Sequence, residues 1–430
     1  SKTFCMQTIF RVSLLLPAAL LFVLRLSGQP VLSRSVSAHP DVDPVRLERV
    51  KQVVEGYVKD GKIVGAVALV AKDGKLIVHQ GFGLDDREKK KPMPADGIFR
   101  IASQTKALTS VGIMMLLEEG KLLLTDPVHK FIPSFRNAQV VATYEPKDTT
   151  YTTTPAKRDI TIKDLLTHTS GLGYAAIGSP MMQAIYAKNG ISAGIGDFKA
   201  DMVRSMDKLG GLPLEHQPGE RWTYGLNTDV LGHIIERLSG MSLEEFFRKR
   251  ICEPLDMQDT WFTLPSDKHA RLTAIYRRES PGVFAPLRVE TSGIFPDFPN
   301  RQKSYFSGGA GLSSSAWDYA AFLQMLLNKG TWNGKALLAP RTVEMMVQNQ
   351  VGSLWGGKQF GLGFSVVSNA DADNIRNVGT FSWGGAFATA YWADPKENIV
   401  AVLMTQQVGA GPEWGEMQEK FAVAIYQALR

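Results

Sequence analysis

The sequence predicts a mixed α/β fold of the α+β kind: a mainly antiparallel sheet built from both chain ends, flanked by helices, with a helical subdomain inserted between them. Three observations predict it. Strand-like runs stand near both ends of the 430-residue chain, and helical spacing dominates its middle. Neighbouring runs are joined by tight turns, a connection open to antiparallel strands and closed to parallel ones. The stretch 103–119 has helical length but is apolar on nearly every side, so it belongs inside the protein.

The elements follow in order. Asp43-Pro44 offers a cap and a first-turn proline ahead of Leu47, Val50, Val54, Tyr57 and Val58, which recur at helical period. Runs 65–71 and 75–80 read as strands, and Asp73-Gly74 between them is a strong signal for a two-residue hairpin. The buried helix 103–119 stops at Gly120. Helical spacing returns at 182–188, 229–238 and 242–251, the last opened by Ser242 and Glu245 at capping-box spacing. A helix over 315–327 has Ser315 and Asp318 at cap spacing. Runs 360–367, 386–392 and 398–404 read as strands, the last two joined around Asp394-Pro395, and an amphipathic helix spans 413–429. The expected organisation is a signal peptide over 1–38, a sheet domain made of 39–120 and 305–430, and a helical subdomain over 121–304.

Charge excludes one class of function. The formal net charge of +6 rests partly on Lys2, Arg11, Arg25 and Arg34; without them, 44 cations face 42 acids and the balance is +2. That is no footprint for nucleic acid. Lys2 and Arg11 precede an apolar run, 12–24, and Val36-Ser37-Ala38 offers a small-residue cleavage site. The run is short for a bilayer and is broken by Pro17, so stable membrane insertion is not expected, and a periplasmic or secreted location is. Cys5 lies in that segment, which leaves Cys252 alone and reads as a buried structural thiol.

Chemistry concentrates at Ser103-Gln104-Thr105-Lys106. A spacing of three puts serine and lysine one turn apart on one helix face. A serine at a helix start points its own N–H at a developing oxyanion, and a lysine in apolar surroundings can accept or relay the serine proton. Gly190-Ile191-Ser192-Ala193-Gly194 fits a second nucleophile pattern, but that pattern works only as a strained turn from strand to helix. Here a helical stretch precedes it and a polar loop follows, so Ser192 is expected to be a loop serine. The histidines are scattered without ligand spacing. No metal and no other cofactor is expected.

The surroundings of Ser103 carry a family resemblance. The segments Ile98-Phe99-Arg100-Ile101-Ala102-Ser103-Gln104-Thr105-Lys106 and Thr125-Asp126-Pro127-Val128 are similar to the active-serine region of class C β-lactamases. They are similar also to the esterase relatives of those enzymes, the family VIII carboxylesterases, which the chain resembles most, and to D-alanyl-D-alanine peptidases. The resemblance continues through Leu165-Leu166-Thr167-His168-Thr169-Ser170-Gly171, Gln217-Pro218-Gly219-Glu220-Arg221-Trp222-Thr223-Tyr224, Asp229-Val230-Leu231-Gly232, Gly308-Gly309-Ala310-Gly311-Leu312 and Trp383-Gly384-Gly385. It implies a β-lactamase/transpeptidase-like fold, with Ser103 as nucleophile and Lys106 and Tyr224 as its proton relay. It implies too an oxyanion hole from the Ser103 and Ala386 N–H groups, and a substrate strand at Trp383, Gly384 and Gly385. His168 is read as structural.

Two departures sharpen the reading. Leu226 stands where the lactamases carry asparagine, which leaves Asn227, one residue later, as a candidate substrate contact. Trp383 stands where lactamases and peptidases carry lysine, and a Trp-Gly-Gly strand resembles the esterases instead. The expected partner is therefore a small-molecule ester with a short acyl chain. A β-lactamase, a D-alanyl-D-alanine carboxypeptidase, an acyltransferase and a non-catalytic binding relative are the alternatives.

Overall fold

The computed structural model describes residues 31–430 apart from 370, 372 and 373. The apolar run 12–24 and Cys5 lie outside the described residues. Residues 31–38, counted with the signal segment above, pack against the body: Leu32 is buried, Leu76 N donates to Ser33 Oγ at 2.9 Å, and Trp317 Nε1 donates to Ser33 O at 3.0 Å. No helix among the described residues is long and apolar enough to cross a membrane.

Asp43 caps α1 (Pro44–Lys59), accepting from the backbone N–H groups of Val45 and Arg46. Strands β1 (Gly65–Lys72) and β2 (Lys75–Asp86) form the expected hairpin, with Asp73 at φ 53° and Gly74 at φ 74°. Lys91–Pro92 adds β3. The buried helix α2 spans Thr105–Glu118, and Gly120 ends it at φ 70°. Helices α3 (Asn227–Ser239) and α4 (Ala316–Leu327) follow, α4 capped by Ser315 accepting from Asp318 N. The C-terminal part supplies β4 (Gln359–Phe360), β5 (Ser365–Val366), β6 (Phe381–Gly385), β7 (Thr389–Asp394), β8 (Ile399–Met404) and α5 (Pro412–Tyr426).

These strands make one eight-stranded sheet in the order β4-β5-β6-β7-β8-β1-β2-β3, antiparallel throughout. The two chain ends meet where β8 pairs with β1, Met404 opposite Val67. All eight residues of β1 are buried, and their alternation divides the core in two. Val67, Leu69 and Ala71 pack toward α2 and α4, whereas Ala66, Ala68 and Val70 face α1 and α5. A strand apolar on both faces is what a sheet covered on both sides requires.

The structure corrects several boundaries. The run 360–367 is two short strands, because a turn through Gly363 at φ 102° folds it back on itself. A Cβ on Gly363 would lie 2.3 Å from Ser110 Oγ, so glycine lets this hairpin press on α2. The run 386–392 becomes strand only from Thr389, since 386–388 is a turn with Ala388 at φ 57°. The helix expected over 242–251 is α-helical for Leu243–Phe247 and then widens to a π-type turn at Arg248–Cys252. The middle of the chain is not purely helical. It holds a hairpin of Gln139–Glu145 with Thr150–Pro155, and the pair Tyr276–Ser280 and Val283–Pro286, which Gln407–Val408 joins. Most side chains of Thr150–Pro155 are exposed, so it carries no apolar alternation to announce a strand.

Candidate active site

Ser103 sits in the 3₁₀ turn Ala102–Gln104 that leads into α2. The turn is strained: Ala102 has φ 42°, a left-handed value unusual for any residue but glycine. The surrounding structure holds it there. The strand Ile98–Arg100 pairs with Ser313–Ser315, Ile101 N donates to Leu312 O at 3.0 Å, and Tyr319 OH donates to Gln104 O at 2.8 Å. Buried Arg100 clamps the strand from below, donating to Thr273 O and Gln406 Oε1 at 2.8 and 2.9 Å.

Lys106 is only 2% exposed, in a helix with no apolar stripe to escape along. Its Nζ lies 3.2 Å from Ser103 Oγ, 2.8 Å from Tyr174 OH and 2.7 Å from Gly309 O. Three oxygens thus surround a nitrogen with three bonding directions besides its own carbon. The same nitrogen stands 4.7 Å above the Tyr224 ring centre. Tyr224 OH accepts from Trp383 Nε1 at 3.3 Å, and the Tyr174 and Tyr224 rings lie 5.3 Å apart. Burial first, and then the Tyr224 phenol beside it, push the Tyr174 hydroxyl well above the usual tyrosine range, which keeps it protonated.

Tyr174 is the residue that sequence reasoning missed. It stands four positions after Ser170, at the end of Gly171-Leu172-Gly173-Tyr174, and at 5% exposure nothing local separates it from a core tyrosine. Gly309 belongs to the family-like Gly308-Gly309-Ala310-Gly311-Leu312 segment, to which the sequence assigns no role. Here it brings a carbonyl to the lysine, and the close fit of its neighbour explains the paired glycines. A Cβ on Gly308 would lie 2.5 Å from Thr228 O, and one on Gly309 would lie 2.4 Å from Asp229 Oδ2.

Strand β6 forms the opposite wall. Its partner β5 pairs only with Phe381 and Ser382, so beyond them the outer edge of Trp383, Gly384 and Gly385 is unpaired. A Cβ on Gly385 would meet Ile101 O and Thr389 Oγ1, each at 2.4 Å, so only glycine lets β6 come this near the serine turn. Ala386 follows directly and is exposed. Half-buried Trp383 joins an aromatic wall: its ring centre is 5.5 Å from Tyr224, 5.5 Å from Phe360 and 6.1 Å from Trp355, and Trp222 stacks on Trp355 at 4.4 Å.

Asn227 is not part of this surface. It is fully buried at the start of α3, where its Nδ2 donates to His168 Nδ1 at 2.9 Å and its Oδ1 accepts from Ser170 Oγ. The reason is positional: α3 turns this side chain inward, toward the loop 167–171. His168 supports the site from behind. Burial, reinforced by the charge of Lys106, holds its imidazole well below its ordinary pKa, and its ring centre packs 4.9 Å from that of Tyr224. Ser192 lies in a loop, where its Oγ accepts from Gly194 N at 3.1 Å; no strand leads into it. Cys252 is buried, and burial pushes its thiol far above the usual range. Among the described residues, one group could geometrically hold an ion, His39 with Asp41 and Asp73, but Lys72 Nζ already lies 3.1 Å from Asp73 there.

Comparison with known proteins shows the family. The β-lactamase family model matches residues 50–420. The chain belongs to the β-lactamase family of serine hydrolases. An uncharacterised protein of Mycobacterium tuberculosis is 33% identical over 86% of this chain and 96% of its own length. Esterase EstB of Burkholderia gladioli is 30% identical over 84% of this chain and 91% of its own. Among solved structures, EstCE1, described as a hydrolase with promiscuous acyltransferase activity, superposes with a TM-score of 0.79. It is 28% identical and is covered over 99% of its chain, against 89% of this one.

The inward placement of Asn227 has a measurable consequence. Asn227→Ala removes two buried hydrogen bonds and leaves His168 and Ser170 short of partners, at about 1–3 kcal/mol for each group stranded. Thermal unfolding is expected several degrees below wild type, with KM for a small ester little changed in the folded fraction. A raised KM at unchanged stability would return Asn227 to the substrate surface.

Proposed function

We propose that this chain is a carboxylesterase that cleaves short-chain carboxylic esters through an acyl-enzyme on Ser103. The observation that carries the reading is the 3.2 Å contact of Lys106 Nζ with Ser103 Oγ, facing a strand edge that presents Trp383 and no cation. Lys106 takes the serine proton as Oγ attacks the ester carbonyl. The Ser103 and Ala386 N–H groups receive the charge that forms on the carbonyl oxygen. Collapse breaks the bond to the alcohol oxygen, and the proton returns to that oxygen from Lys106 by way of the Tyr224 hydroxyl. Water then repeats the sequence on the acyl-enzyme and releases the acid. Tyr174 serves as the neutral phenol that fixes one N–H direction of Lys106. EstCE1's described side activity supports a second outlet, in which an alcohol rather than water takes the acyl group. Lys2 and Arg11 ahead of the apolar run 12–24 support export of the chain.

The relay is tested by combination. Lys106→Ala and Tyr224→Phe should each lower kcat by about a hundredfold or more, the usual worth of general acid–base catalysis. Groups that act as one unit are non-additive, so the double variant should resemble the worse single one. Losses that multiply would mean that the two residues act separately.

Trp383 decides the substrate. Penicillins and D-alanyl-D-alanine termini bring a carboxylate that must be held, and neither an indole nor Gly384 supplies a charge or hydroxyl for it. One missing charge-assisted hydrogen bond costs about 1.5–3 kcal/mol, roughly ten- to a hundredfold in specificity. The expected kcat/KM for p-nitrophenyl butyrate therefore exceeds that for benzylpenicillin, with nitrocefin opened slowly at most. A higher value for benzylpenicillin would make the chain a β-lactamase while leaving Ser103 in place.

A further inference from the structure

Behind the reacting pair lies a buried acid that the proposed chemistry does not use. Asp229, in the first turn of α3, is completely buried. Its Oδ1 accepts from Ser307 Oγ at 2.6 Å and from Tyr305 OH at 3.1 Å. Its Oδ2 makes no well-aligned hydrogen bond among the described residues and faces the Gly309 backbone. The carbonyl of the same Gly309 accepts from Lys106 Nζ at 2.7 Å, and that of Gly308 accepts from Thr109 Oγ1 at 2.7 Å. One strap of the chain, 307–309, therefore touches the acid on one side and the catalytic lysine on the other.

Among the described residues, hydroxyl donors and the cation Lys106 act on Asp229. Burial raises the carboxyl, and the Ser307 hydrogen bond, the charge of Lys106 and the Tyr305 hydrogen bond oppose that rise. From α2 the group facing it is Lys106; from the loop after His168 it is Tyr174. From the strap comes Ser307, from just before it Tyr305, and from the loop 190–197 come Gly194 and, beyond Tyr305, Asp197. Further along α3, Glu236 is engaged by His233 at 3.2 Å. A carboxylate this deep needs a nearby positive charge, and on these elements Lys106 is the cation that acts on it.

We propose that Asp229 is the counter-charge of Lys106, a positioning residue that works through the Gly308–Gly309 strap and stabilises the ammonium formed when Lys106 takes the proton of Ser103. The proposal rests on the reading of Ser103 and Lys106 as nucleophile and base. It gives the site the logic of a triad in which a third, buried group orients the base and offsets the charge it acquires. The glycine pair and the two hydroxyl donors then have one purpose: they seat a carboxylate against the strap whose Gly309 carbonyl fixes the direction of a lysine N–H. The cost of burying Asp229 is recovered when the proton moves.

Sign follows from charge. A neighbouring anion favours the protonated lysine, so removing it makes the amine easier to free and a weaker base. In Asp229→Asn the acid limb of kcat/KM for p-nitrophenyl butyrate should move down by about one pH unit. The plateau should fall about tenfold or more as the base weakens. An acid limb that stays in place, whatever the plateau does, overturns the proposal, because a merely structural acid would lower activity without moving the limb. Ester hydrolysis that survives Ser103→Ala would instead strike the reading of the site itself. If Asp229→Asn does not fold, the infrared spectrum of Lys106→Met decides. Below the acid limb of wild type, where Lys106 is protonated, a carboxylate deprived of that cation should take up a proton, so at such a pH the variant should show a stronger carboxylic-acid band than wild type. Identical spectra would overturn the proposal.

Discussion

A lysine nitrogen that is nearly out of reach of water must be solvated by the protein, and much of this molecule is arranged to do that. Leaving a buried amine or ammonium without partners costs several kcal/mol. Here Ser103 Oγ, Tyr174 OH and Gly309 O take the place of water around Lys106. Each comes from a different part of the chain: the strained turn at Ala102, the loop after His168, and the glycine strap before α4. The fold's need to satisfy one nitrogen is thus the same constraint that gathers the groups of the proposed site.

The sheet makes that arrangement stiff. Strand β6 can bring Trp383 and Gly385 to the serine turn because β7 and β8 tie it to β1, which is buried on both faces. Closely packed layers transmit little play. A strained residue such as Ala102 persists only where its neighbours determine it from several sides, and here strand, helix and tyrosine contacts do so. The outer edge of β6 is left unpaired for the three residues that face the cleft, while the rest of the strand is paired on both sides.

Much of this was legible in the sequence because it was local. Asp73-Gly74, the cap at Asp43 and the all-round apolar helix 103–119 are short-range signals with one structural solution each. The Ser103–Lys106 pair was legible because a spacing of three on a helix fixes a distance. What could not be read is what long-range packing decides. Tyr174 reaches Lys106 across 68 positions of sequence and Gly309 across 203, and neither carries a local mark. Asn227 and Leu226 show the same limit. Both are fully buried where α3 begins, Leu226 in the apolar core and Asn227 against His168 and Ser170, and no local mark in the sequence announces that either turns inward. The hairpin beginning at Gln139 was hidden because exposed threonines form a strand without alternating.

The central claim is that acyl transfer runs through one particular hydroxyl. Treating the intact protein with a fluorophosphonate and mapping the modified peptide by mass spectrometry tests it most directly. The account predicts a single adduct on Ser103, formed fastest where Lys106 is free to accept a proton and absent from Ser103→Ala. An adduct on Ser192, or labelling that persists undiminished in Ser103→Ala, would contradict it.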